Sequence, residues 1–241
     1  MSTVLANTWT FTAKELRSFF NSAVAYVILT LFLFITGWFF ASNLFLVNQA
    51  DLREIFGAII PLIFLFFVPA ITMRLIAEEK KTGTIELLVT LPVRDAEIVL
   101  GKYLAALILL GSALLLTFAY PITISILGKP DTGGLIGGYL GLFLMGAAFL
   151  AIGLFTSSLT PNQIVAFITG FVIIFALFML DKVIFVFPSG IASIMEYLSV
   201  GYHLDNLARG VIDSRDVLYY LSLIGLFLFL AVRSLESRKW R

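Results

Sequence analysis

Cysteine is absent from the chain and histidine occurs once, at His203, so there is no disulfide framework, no thiol nucleophile and no clustered histidine metal site. Charge is scarce as well. Only 13% of the 241 residues are Asp, Glu, Lys or Arg, and the formal net charge is +1, which leaves no basic face for nucleic acid. No G-x-x-x-x-G-K-[ST] occurs: Gly101-Lys102 and Gly128-Lys129 lack both the upstream glycine and the following Ser or Thr. The chain therefore has no loop to cradle nucleotide phosphates. A G-x-S-x-G elbow and an H-E-x-x-H pair are missing too, which disfavours a membrane-embedded lipid enzyme.

What the chain has in abundance is hydrocarbon. It is 60% hydrophobic with a mean hydropathy of +1.03, more apolar side chain than a soluble domain of this length can cover. The apolar runs are continuous rather than alternating, which excludes a strand barrel and points to helices crossing about 30 Å of lipid. The expected class is an all-α integral membrane protein, a single domain over residues 1–241, with six spans at about 23–42, 56–77, 97–120, 135–157, 163–187 and 216–234. Six spans put both termini on one side. That side holds Lys14, Arg17, Arg74, Lys80, Lys81, Arg94, Lys102, Arg233, Arg238, Lys239 and Arg241; the other holds Arg53, Lys129, Lys182, Arg209 and Arg215. The bias makes the terminal side cytoplasmic.

Several local features carry expectations. Residues 7–21 read as an interfacial helix with Trp9, Phe11, Leu16, Phe19 and Phe20 on one side and Lys14, Glu15 and Arg17 elsewhere, rather than as a cleavable leader. Residues 188–215 form a long outer loop. Ile191, Ile194, Met195 and Leu198 have helical spacing there, Gly201 is placed to end that helix, and a second follows around Leu204–Val211. Gly133, Gly137 and Gly141 recur every four residues at the start of span 4, a ridge for helix packing. Pro61 and Pro69 predict a kink in span 2, Asn162 a cap for span 5, and Asp181-Lys182 an interfacial end of that span. Glu196, Asp205, Asp213 and Asp216 read as a solvated outer face, and His203 as a residue with no acidic cluster about it.

One segment is unusual. Span 2 leaves the membrane as RLIAEEKK, Gly83 permits a sharp turn, and Thr84 is an N-cap candidate. Glu86 suits a positive helix end, Ile85, Leu88 and Val89 form an apolar stripe, and Pro92 ends the element before Asp95 caps span 3. The result is a two-turn helix over 84–91, too short to be stable unsupported. The stretch EEKKTGTIELLVTLP, with Glu78, Glu79, Lys80, Gly83, Thr84, Glu86, Leu87, Leu88, Thr90 and Pro92, resembles the motif E-E-K-x-x-G-T-x-E-L-L-x-T-x-P that joins spans 2 and 3 in ABC-2 type transporter permeases. PAITMRLIAEEKKTGT, IVLGKYLAA, AIGLFTSSLTPNQIVAF and ARGVIDSRDVLYYLS extend the resemblance to the gliding-motility-associated permease subgroup. The resemblance implies a coupling helix over 84–91 that docks on a separate ATP-binding cassette subunit, with Glu78, Glu79, Gly83, Thr84, Glu86, Leu87, Leu88 and Pro92 as the coupling residues. It also implies a second permease copy or paralogue, and a possible companion membrane protein with a large extracytoplasmic domain. ATP and Mg would be held by the ATPase partner and no cofactor by this chain. The location implied is a bacterial inner membrane. A structural or signalling subunit of such a complex, without solute flux, is the alternative.

Overall fold

The computed structural model describes residues 2–46, 51–84, 93–128 and 131–237. Among these every regular element is helical. Helix α1 (Ser2–Asn21) leads into α2 (Ala23–Leu46). A π-helical turn (Ile55–Ile59) runs into α3 (Ile60–Thr72), followed by the short α4 (Ala77–Thr82). Then come α5 (Asp95–Leu116), α6 (Ala119–Leu127), α7 (Thr132–Leu159) and α8 (Gln163–Met179). Two 3₁₀ turns, Leu180–Lys182 and Ile184–Val186, precede α9 (Ser189–Leu198), α10 (Val200–Ala208) and α11 (Ser214–Glu236).

Among the described residues, six helical stretches are long and apolar enough to cross a membrane: Ala23–Leu46, Ile55–Thr82, Asp95–Leu127, Thr132–Leu159, Gln163–Lys182 and Ser214–Glu236. Most of these extend a few residues past the sequence-based bounds. Span 5 instead stops early, at Lys182 rather than 187, because Asp181 turns to the protein: it pairs with Lys182 at 2.5 Å and accepts from the Ser199 hydroxyl at 2.5 Å.

Span 4 is the axis of the bundle. Helix α7 touches spans 2, 3, 5 and 6, and its glycines set the approach distances. A Cβ at Gly146 would come within 2.6 Å of Leu110 and 3.0 Å of Phe64. Spans 1, 5 and 6 leave broad apolar faces uncovered, as Phe34, Trp38, Ile164, Val172 and Phe229 illustrate, and in lipid such faces carry no penalty.

The spans are interrupted where the sequence suggested a kink, and the form of the interruption is specific. Pro61 follows the π turn, and Pro69 lies inside α3, which unwinds after Thr72. The gap before α4 is bridged from α7. Ser157, fully buried, accepts from Ile76 N–H and Ala77 N–H at 3.1 Å each and donates to the Met73 carbonyl at 3.0 Å. Span 3 breaks at Thr117-Phe118, where the Thr117 hydroxyl folds back on the Leu114 carbonyl at 2.7 Å. Asn162 caps span 5, its side-chain oxygen accepting from Ile164 N–H at 2.9 Å. In the loop before span 6, Gly201 lies inside the first turn of α10 and does not end α9. Ser199 makes the break, its hydroxyl accepting from Gly201 N–H at 3.2 Å.

Candidate functional site

A buried polar cluster lies where α1, α4 and the start of α5 meet, on the face shared by the first and last helices' chain-terminal ends. Lys102, one turn into the apolar stretch of α5, is only 1% exposed. Its ammonium lies 2.5 Å from Glu15 of α1 and 2.8 Å from Glu79 of α4. A buried lysine cannot stay charged without partners, and here it has two, drawn from different helices. The second Glu79 oxygen is buried and makes no hydrogen bond.

The same three helices are joined by closer contacts. Gly101 lets α1 lie against α5: a Cβ there would meet Phe11 Cβ at 2.5 Å and the Thr8 carbonyl oxygen at 2.9 Å. The Thr12 hydroxyl donates to the Gly101 carbonyl at 3.2 Å, and the Asn7 amide to Glu97 at 3.0 Å. Glu97 also accepts from Arg94 N–H at 3.4 Å, closing the start of α5. The helix includes Asp95 itself, one residue earlier than expected.

Helix α1 differs from its sequence reading in one respect. Its aromatic residues do not share a side: Phe19 is buried, whereas Trp9 and Phe20 are exposed. Nor does Glu15 face away, since it closes on Lys102. The side that packs on α5 is lined by Thr8, Thr12, Glu15 and Phe19, three polar residues and one ring, a pattern with no apolar stripe.

Helix α4 continues the cluster outward. Arg74 pairs with Glu78 at 3.4 Å, and the Lys80 ammonium donates to the Ser158 carbonyl at the end of α7. That carbonyl also accepts from the Ser234 hydroxyl of α11 at 3.0 Å. Gly83 ends α4 in the left-handed region at φ +72°, where a side chain is strained. The Thr82 and Thr84 hydroxyls sit 3.0 Å apart beyond it. A cavity of about 260 Å³ opens between α1 and α4, bordered by Lys14, Glu15, Arg74, Glu78, Glu79, Thr84 and Lys102. Of the expected coupling residues, the structure thus brings Glu78, Glu79, Gly83 and Thr84 to one place. Glu86, Leu87, Leu88 and Pro92, and the body of the 84–91 helix with them, lie outside the described residues.

The glycine ridge of span 4 faces inward. Gly137 and Gly141 lie under α10: a Cβ on Gly137 would collide with the Leu207 carbonyl oxygen, and one on Gly141 would reach Leu204 at 2.9 Å. Gly133 is less confined, with Asp131 3.5 Å away. Asp131 itself is exposed and pairs with Arg53 at 2.8 Å; that hydrogen bond lowers its carboxyl below the ordinary range.

On the face opposite the chain ends, Asp216 is buried and not solvated as its sequence context suggested. It lies 2.6 Å from His203 across the turn between α10 and α11. Asp205 is half-buried, and burial raises its carboxyl above the ordinary range against the pull of Lys182 and Arg209.

Among the described residues no group of three His, Cys, Asp or Glu side chains is disposed to hold a metal ion. Two further cavities are apolar. One of about 440 Å³ lies between spans 1 and 2 against Phe32, Ile63 and Phe67. Another of about 610 Å³ lies between spans 3 and 4 against Phe118, Ile122 and Tyr139. Neither contains a carboxylate, an amine or an imidazole.

No curated protein matches the chain. Residues 48–232, spanning the described spans 2 to 5 and most of span 6, match the model of the ABC-2 family transporter proteins, and the chain belongs to that family.

Proposed function

We propose that this chain is the permease half of an ABC transporter and that the Lys102 junction is the root of its coupling lever. Members of the family are multi-pass membrane subunits that typically work with an ATPase subunit and are not themselves enzymes. The observation that carries the reading is the bond set Glu15–Lys102–Glu79. It ties α1 and the base of span 3 to the helix from which the 84–91 segment departs. A push on Glu78, Glu79, Gly83, Thr84, Glu86, Leu87, Leu88 and Pro92 is then delivered to spans 2 and 3 and, through Ser157 and Lys80, to the end of span 4.

In this reading residues 1–241 are one transmembrane domain of a bacterial inner membrane with both termini cytoplasmic. Helix α1 lies in the headgroup plane, residues 84–91 form the coupling helix, and α9 and α10 lie at the outer face. The ATPase partner holds ATP and Mg, and a second permease copy or paralogue completes the pathway. The resemblance to the gliding-motility-associated subgroup supports a companion with a large extracytoplasmic domain and work in the export direction.

The test is a Gly83→Pro/Glu86→Lys variant reconstituted with its ATPase. Proline cannot adopt φ +72°, and the charge reversal opposes docking. Insertion is expected to be normal and ATP-driven flux lost. Normal flux would rule the lever out. Intact ATP turnover without flux in the unmodified complex would favour a structural or signalling subunit.

A further inference from the structure

The junction between α9 and α10 is gripped from span 6. The Tyr219 hydroxyl donates to the Leu198 carbonyl at 2.6 Å, and the Tyr220 hydroxyl to the Val200 carbonyl at 2.8 Å. His203 completes the grip. Its Nε2 lies 2.9 Å from the Tyr197 carbonyl oxygen and its Nδ1 lies 2.6 Å from Asp216 Oδ1. His203 is 1% exposed and Asp216 2%. The ring stacks on Tyr219 with centroids 3.9 Å apart, and Tyr197, Tyr202 and Tyr220 surround it edge-on. Asp216 Oδ2 is buried and makes no hydrogen bond. Helix α9 itself buries none of its described side chains fully, so this junction at its end matters to its position.

A carbonyl oxygen can only accept. For both short approaches to be hydrogen bonds, one proton must sit on Nε2 and another between Nδ1 and Oδ1. A neutral ring beside a carboxylate holds one proton fewer. If that proton leaves, either Nδ1 and Oδ1 face each other as two acceptors, or Nε2 faces the carbonyl without a hydrogen. Burial keeps water from filling the gap.

We propose that His203 and Asp216 form a proton-holding latch that fixes the α9–α10 hairpin to span 6. It is closed with the shared proton and released without it. The surroundings suit this role. Asp181 pairs with Lys182; the other charged residues at this end of the elements that meet at the junction are Asp205, half-buried, on α10, Glu196 on α9, and Asp213 and Arg215 at the start of α11. Arg209 follows α10. The faces of α7 and α8 that pack on α10 bring no charged residue, since neither helix contains one. Tyr219 and Tyr220 from α11 supply rings and hydroxyls.

His203 is the only histidine and cysteine is absent, so both halves of the latch can be read in the full-length chain. ¹⁵N-histidine labelling in nanodiscs, with a tag that lacks histidine, reports this ring alone. Spin labels at Ile194→Cys and Leu218→Cys report the separation of α9 from span 6. The measurement is a pH series in which the protonation of both ring nitrogens is followed; the latch concerns the step from both protonated to one. The narrow distance distribution is expected to broaden with the same midpoint. In Asp216→Asn the amide donates to the Nδ1 lone pair while Nε2–H keeps the Tyr197 carbonyl, so a neutral ring closes the latch and the distance stays narrow at every pH. His203→Gln is expected to be broad throughout. The latch is overturned if the ring titrates while the distance stays fixed, if the ring keeps one protonation state across the range, or if Asp216→Asn broadens as His203→Gln does.

Discussion

Replacing Lys102 with Met removes the one cation between Glu15 and Glu79. The methionine fills nearly the same space, so the effect is electrostatic rather than a cavity. Both carboxylates sit within hydrogen-bonding reach of the same ammonium, which puts their oxygens ~5 Å apart once it is gone. At an effective dielectric of about 20 two charges at that separation repel by ~3 kcal/mol, and breaking a buried pair by deleting one partner costs about 3–5 kcal/mol. About 3 kcal/mol corresponds to roughly a hundredfold in an opening equilibrium. The reporter is Thr8→Cys, on the buried side of α1, whose hydroxyl makes no hydrogen bond and is dispensable. In the otherwise cysteine-free chain, maleimide labelling of that thiol measures release of α1 from α5. The expected result is a roughly hundredfold faster rate in Lys102→Met, and a much smaller change in Glu15→Gln, which leaves Lys102 paired with Glu79. Equal labelling rates with and without Lys102 would refute the claim that the triad holds α1.

Three further outcomes follow from distances and burial. Gly137→Ala drives a methyl into the Leu207 backbone and is expected to destabilise by about 1–3 kcal/mol or more in thermal unfolding, whereas Gly133→Ala, whose nearest neighbour is 3.5 Å away, is tolerated; equal melting temperatures would count against α10 seating on α7. Ser157→Ala strands the Ile76 and Ala77 N–H groups in a buried gap at about 1–3 kcal/mol, and hydrogen exchange at those two amides is expected to accelerate while that of α3 does not. Asp205 has a carboxyl raised by burial, so its ionised form is disfavoured in the folded state. That penalty is absent below the ordinary carboxylate value and present above the raised one. Asp205→Asn is therefore expected to stabilise the protein near neutral pH, with the gain vanishing in acid; a gain that persists in acid would assign the effect to packing.

The spans were legible because lipid imposes a single coarse rule, about twenty apolar residues per crossing, and nothing in the interior of a bundle contradicts it. The interruptions were less so. Pro61 and Pro69 signalled a disturbance in span 2, but its form depends on Ser157, some eighty residues away, taking over the freed amides. The length of span 5 was misjudged because Phe185, Val186 and Phe187 continue the apolar run; Asp181 ends it through a bond to Ser199 that only the folded chain forms. Lys102 counted in the sequence as one more cation of the terminal side. The available signal was its isolation among the apolar residues of IVLGKYLAALILL, since a charge at that depth demands partners. His203 and Asp216 read as unrelated because the turn between α10 and α11, not spacing along one helix, brings them together. The motif residues Glu78, Glu79, Gly83 and Thr84 were visible as a string, and their arrangement about Lys102 was not.

The central claim is that the segment beginning at Glu78 receives an ATPase. The most direct measurement is photo-crosslinking from Thr84, at the mouth of the cavity between α1 and α4, in native membranes, followed by purification in mild detergent and mass spectrometry of the adducts. The account predicts a stoichiometric P-loop ATPase crosslinked at this position and lost in the Gly83→Pro/Glu86→Lys variant. Adducts confined to lipid or to a second copy of the chain, with no ATPase co-purifying from nanodiscs or detergent, would contradict it.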